Sequence, residues 1–359
     1  MQEKQVKMPS SDIQVKSKLS EKIVIFMLLL SAAFSITYWA IAKYDVYSDY
    51  KACGDAQSYI EMSKHNYQNI QQRYRNRILM PAIVSFLNDH LKIEPFLRRY
   101  YEDVDKKIIQ LNFGIVNIFA LTLTAFTFFY YCLHFGFSKW ESLVGSFLYL
   151  TSFFVVNYYT VPMVDSLSTF FIMGGFYAVL RGSVVGLFLS FLLGVFTKET
   201  TFIILPLILL VERRVFSKKL LVCMPGVIAY AIFAGNVQKT IGRDGGFYLF
   251  RDIFNIIQGK FLSDAFEWFS LYTFIEYIQV FMFLWILFFY ALFRCRKPMF
   301  LKRSCWLLLA PLVTPFLGTA AVGRVVFYLF PIVIPFALLA IRDIFDTKHS
   351  DLQASSRID

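Results

Sequence analysis

Residues 184–211 read VVGLFLSFLLGVFTKETTFIILPLILLV, an apolar run broken at its centre by Lys198 and Glu199. An ionised group inside such a run costs about 2.5–3.5 kcal/mol on insertion scales, so it faces a cavity or finds a partner. Each apolar arm has about 14 residues, roughly 21 Å of helix at 1.5 Å per residue. The hydrocarbon core of a bilayer is ~30 Å thick. The run therefore reads as a hairpin that enters, turns at Lys198-Glu199 and returns, with its tip in a depression below one surface.

The composition calls for the same solvent. Of 359 residues, 57% are hydrophobic and 17% charged, more apolar surface than a soluble chain of this length can hide. The net charge of +11 would suit nucleic acid, but no basic soluble domain is visible. Lys and Arg retained on cytoplasmic loops explain it better. The five cysteines (53, 132, 223, 295 and 305) form no CxxC or Cys/His spacing of a metal site, and the four histidines are scattered.

Outward from the central run, further apolar spans fall near 23–42, 108–133, 142–160, 166–180, 220–236, 271–293, 304–320 and 325–341. Basic residues are densest at 1–22, 212–219 and 294–303, which assigns those segments to the cytoplasm. The chain must then cross an even number of times between His134 and Glu212, and this forces 184–211 out and back. The expected fold class is all-α: a polytopic integral membrane protein of about ten transmembrane helices with short re-entrant and interfacial helices. Residues 1–21 and 343–359 are expected as cytoplasmic tails, the latter frayed, around a membrane domain at 22–342. Two extracytoplasmic loops are expected, at 43–107 and 237–270.

The first of these loops carries CGDAQSYIEMSKHNYQNIQQRYRNRILMP at 53–81. Asp55 lies about twenty residues before Arg73, Arg75 and Arg77, and 78–91 reads as an interfacial helix. Asp55, Arg75, Arg77, Asp165, Lys198, Glu199 and Arg324 all fall on the outer side under the basic-loop assignment. Asp55 can act as a catalytic base toward an acceptor hydroxyl, or simply start a helix. Arg75 and Arg77 suit phosphate because the guanidinium donates in pairs, or they contact lipid headgroups. Lys198 can bind a phosphate that Glu199 helps hold, or the two form an inert hairpin tip. Asp165 is a second acid or a cap. Arg324 neutralises a leaving phosphate or snorkels at a helix end. Arg243 and Asp244 read as turn residues. No Walker loop, HExxH or GxSxG is present.

This pattern resembles the GT-C superfamily of membrane glycosyltransferases. The carrying residues are Asp55 in the first outer loop, the run Tyr74-Arg75-Asn76-Arg77-Ile78-Leu79-Met80-Pro81, and the dip around Phe196 to Thr200. The run is similar to a "D…YR-x-R-x-L-x-P" pattern of poorly characterised bacterial members. The resemblance implies a protein of the bacterial cytoplasmic (inner) membrane that takes a polyprenyl-phosphate-linked sugar as donor. Its acceptor would be a cell-envelope glycan, lipid or protein on the extracytoplasmic face. Asp55 would be the base, and Lys198, Arg75, Arg77 or Arg324 would hold the donor phosphate. The chain departs from better-known members in lacking a large soluble C-terminal domain and a clear Asp-x-Asp pair, which leaves open a divalent metal as cofactor. An O-antigen-type polymerase, a transporter or flippase of anionic lipid or solute, and a structural cell-envelope subunit are the other classes. A polymerase would carry a larger late outer loop, and a transporter internal repeats.

Overall fold

The structure, a computed structural model, describes residues 19–43, 54–67, 70, 72–91, 95, 98–99, 104–212, 217–239, 271–313 and 322–355. Every long element is helical: α1 Leu19–Lys43, α2 Gly54–Ser63, α3 Gln72–Arg75, α4 Leu79–His90, α5 Val104–His134, α6 Lys139–Leu150, α7 Asp165–Arg181 and α8 Val184–Thr197. They continue as α9 Ile204–Glu212, α10 Lys218–Lys239, α11 Leu271–Gln279, α12 Leu284–Arg294, α13 Met299–Ser304, α14 Ala310–Val313, α15 Val322–Phe327 and α16 Phe330–Ser355. A π-helical turn at Val155–Tyr159 and 3-10 turns at Glu199–Ile203 and Cys305–Leu309 join some of them.

Among the described residues three helices are long and apolar enough to cross a membrane: Leu19–Ala42, Lys107–His134 and Lys218–Asn236. The expectation of about ten spans is corrected accordingly. The remaining apolar segments are shorter or interrupted. The segment 142–160 is not one helix, because α6 ends at Leu150. Beyond it Thr151, Asn157 and Thr160 each donate a side-chain hydrogen bond to the carbonyl four residues back. Such local bonds compete with regular helix geometry. Segment 271–293 splits into α11 and α12 at Met282, whose φ of 43° is left-handed. Within 304–320 the described part breaks into a 3-10 turn and the four-residue α14. The tail expected to fray from Arg342 is helical instead, since α16 runs to Ser355. The run 184–211 forms two helices, α8 and α9, joined by the 3-10 turn at Glu199–Ile203, and the stretch 78–91 forms α4.

Two apolar cores form. The larger gathers Leu121, Phe128, Tyr149, Ile172, Phe176, Phe191 and much of Val326 to Ala340. The smaller lies under α2–α4 and gathers Tyr59, Tyr74, Met80, Val84, Phe113, Val164 and Phe171. At α5 the helices α1, α6 and α7 pack together, while α8 packs on α7 and α10. Asp165 directly follows Val164 of the smaller core, and Tyr328 belongs to the larger one. The charged residues of the next section sit at the seam between the two.

Candidate active site

Three separate turns deliver the acids. Asp55 lies in the first turn of α2, Asp165 in the first turn of α7, and Glu199 in the first turn of the 3-10 segment after α8. The N-terminal end of a helix carries partial positive charge, so all three carboxylates sit where the backbone favours them.

Arg324, on the six-residue α15, joins two of these acids. Its Nη2 donates to Asp165 Oδ2 at 2.6 Å and its Nη1 to Asp55 Oδ2 at 3.0 Å. The backbone N–H of Gly323 reaches Glu276 Oε2 of α11 at 3.4 Å, which helps fix α15. The other oxygen of Asp165 accepts from Lys198 Nζ at 2.7 Å and from the Tyr328 hydroxyl at 2.8 Å. Lys198 also contacts the Tyr328 hydroxyl at 3.2 Å and lies 5.4 Å from the centroid of its ring. The Asp165 side chain is 0% exposed, Lys198 6%, Arg324 14% and Asp55 23%. The cluster therefore opens toward Asp55 and closes toward Asp165.

A second pairing stands beside it. Arg77 makes a two-pronged contact with Glu199, in which its Nε lies 2.9 Å from Oε2. Its Nη1 donates to the Tyr59 hydroxyl at 2.7 Å. Tyr59 meets Tyr74 edge to face, and Tyr74 donates its hydroxyl to Asp55 Oδ1. Lys198 and Glu199 thus pair with other segments and not with each other. Burial pushes the Asp55 carboxyl up, but the Tyr74 hydroxyl and the Arg324 guanidinium outweigh it and hold the group below its ordinary value. Asp55 is therefore ionised at neutral pH, a carboxylate able to accept a proton but weakened as a base by its partners.

The structure brings Asp55, Arg77, Asp165, Lys198, Glu199 and Arg324 together. Arg75 turns its Nε instead to the Ile70 carbonyl at 3.0 Å. The Arg73 side chain, Cys53, Arg243, Asp244 and the rest of the loop at 240–270 lie outside the described residues, as do 1–18 and 356–359. Sequence reasoning missed Tyr59 and Tyr328, and it placed Tyr74 in the quoted run without giving it a role. In a chain with 21 Tyr and 41 Phe, an aromatic residue carries no signal until its hydroxyl has a partner. Among the described residues no three His, Cys, Asp or Glu side chains gather as a metal cluster. Ser85 contacts His65 Nε2 at 2.8 Å, and Asp89 approaches that same nitrogen at 4.0 Å and not the opposite one, which differs from the order of a hydrolase triad.

Arg324 and Lys198 offer donors to an anion, and Asp55 offers an acceptor to a hydroxyl, within one connected set of side chains. No protein-family model matches the chain, and comparison with curated proteins finds no match.

Proposed function

We propose that the chain is a polytopic membrane glycosyltransferase resembling the GT-C superfamily. It would move a sugar from a polyprenyl-phosphate-linked donor to a cell-envelope glycan, lipid or protein acceptor on the extracytoplasmic face of a bacterial inner membrane. The observation that carries this reading is the linkage of Asp55 to Lys198 through Arg324 and Asp165. A carboxylate reachable from outside and two cations meet at the helix ends opposite the basic loops. Short helices such as α8 and α9 would complete their crossings in pairs around that site.

In the reaction, the proton of the acceptor hydroxyl passes to Asp55. The acceptor oxygen bonds to the anomeric carbon, and the bond from that carbon to the phosphate oxygen breaks with its electron pair on phosphate. Arg324 and Lys198 stabilise the charge that grows on the leaving phosphate. Arg77 and Glu199 hold the tip of the dip in place.

The test is release of polyprenyl phosphate by purified protein incubated with polyprenyl-phosphate sugars and an envelope acceptor. Asp55→Asn should lower turnover by about 10²-fold or more, the scale of general-base catalysis. Turnover unaffected by Asp55→Asn would remove Asp55 as the base.

A further inference from the structure

The charges of the cluster balance among the described residues: Asp55, Asp165 and Glu199 against Arg77, Lys198 and Arg324. A site built to take a phosphate would be expected to hold surplus positive charge. An anionic ligand entering here must compete with a carboxylate for a cation.

The geometry decides which carboxylate yields. Asp165 is fully buried, and its oxygens are held at 2.6, 2.7 and 2.8 Å by Arg324, Lys198 and Tyr328. Leaving it uncompensated would cost several kcal/mol. Asp55 is more exposed and takes the longer of the two Arg324 contacts, at 3.0 Å. The Nε of Arg324 is buried and has no hydrogen-bond partner among the described residues. Arg324 can therefore release Asp55 while keeping Asp165.

We propose that Arg324 is a shared cation, holding Asp55 as seen here and passing to the phosphate of a polyprenyl-phosphate-linked ligand when one binds. Tyr74 then remains as the positioning residue that holds the freed base. This rests on the transferase reading and adds to it an order of events: the base becomes strong only once the donor is in place.

Charge accounting supports the exchange. A phosphodiester donor brings one negative charge into a neutral cluster. As the acceptor proton moves to Asp55, the phosphate leaves as a monoester with close to two negative charges near neutral pH. Asp55 has meanwhile lost its own. The total is unchanged through the step, so the buried site never holds a growing net charge, which would be expensive at low dielectric. The titratable and charged groups facing Asp55 among the described residues are Tyr74 from α3, Arg324 from α15, Arg77 from the turn before α4, and Tyr59 from α2.

The experiment follows the Asp55 carboxyl by infrared difference spectroscopy on the full chain in lipid nanodiscs, its band assigned by loss in Asp55→Asn. Saturable binding of polyprenyl phosphate, read by intrinsic fluorescence, is measured in the same samples. Binding should strengthen proton affinity at Asp55 about tenfold or more, one pH unit in the titration. In Arg324→Gln, Asp55 should already titrate at the raised value, and ligand should add little. Arg324→Lys, which keeps the charge beside Asp165, serves if the Gln variant does not fold and should show a reduced ligand-driven change. Saturable binding with no change at Asp55, or a full change that survives in the Arg324 variants, overturns the proposal and leaves the transferase reading standing. Absence of saturable binding overturns both.

Discussion

Asp165 takes three short contacts, from Arg324, Lys198 and Tyr328, yet it does not reach solvent. Lys198 and Arg324 both depend on it for compensation. Removing one partner of a buried charged pair is far more costly than removing the pair, because a charge is left unpaired in low dielectric. Asp165→Ala should therefore destabilise the protein by about 3–5 kcal/mol, measured by reversible unfolding in mixed micelles. A loss near zero would mean that water reaches the pair and the site is open. Lys198, Glu199 and Asp55 were legible in the sequence because each breaks a pattern: two charges within an apolar run, and an acid just past the first span. Tyr328 was not legible, since it lies in a stretch of aromatic and aliphatic residues. Its role depends on a contact 163 positions away in the chain. Glu199 was legible as a group needing a partner, but the partner is Arg77, 122 positions earlier, and no spacing rule connects them.

The helices sort charge by their ends. The acids of the cluster occupy first turns, as described, and at the other end of the bundle cations meet the carbonyls of closing turns. Lys219 Nζ lies 2.9 Å from the Val179 carbonyl near the end of α7, and Arg303 Nη1 lies 2.5 Å from Val211 near the end of α9. Lys297 Nζ caps Leu292 of α12 at 2.5 Å, and Arg342 Nη2 reaches Gly136 just past α5 at 3.1 Å. Lys219, Lys297 and Arg303 lie in the segments whose basic content set the orientation in the sequence, and with Arg342 they satisfy backbone groups that a helix end leaves open. Glu141 ties this end together. It completes a capping box with Ser138 and grips Arg342 with both oxygens at 2.7 Å. The Arg342 hydrogen bonds hold its carboxyl down to about 2, against an ordinary 4.5. A depressed carboxylate stabilises the fold above its unfolded value and loses that contribution as pH falls through its folded one. Glu141→Gln should thus cost about 1–2 kcal/mol at neutral pH. The gap from wild type should narrow in unfolding measurements as pH is lowered from 4.5 toward 2. A gap that stays constant over that window would mean that charge at position 141 does not matter.

At the scale of the whole molecule, the all-α class, the first long helix, the helix within 78–91 and the break within the run at 184–211 could all be read from the sequence. Each rests on local length and hydropathy. Breaks inside apolar segments could not be read so well, because they depend on side chains that bond their own backbone, as at Thr151, or on a left-handed residue such as Met282. An apolar run gives the total of buried length but not where the helix stops. The exposed aromatics agree with apolar surroundings for the bundle: Tyr38 and Trp39 lie near the C-terminal end of α1, and Trp140 and Trp306 at the basic end. The central claim is that distant segments deliver a base and phosphate-binding cations to one outward-facing cluster. Its most direct test is a cryo-electron microscopy map of the full chain in nanodiscs with polyprenyl phosphate. The account predicts phosphate density within hydrogen-bond distance of Arg324 and Lys198, with Asp55 beside it on the same face. Phosphate bound elsewhere, or Asp55 and Lys198 on opposite faces of the bilayer, would contradict it.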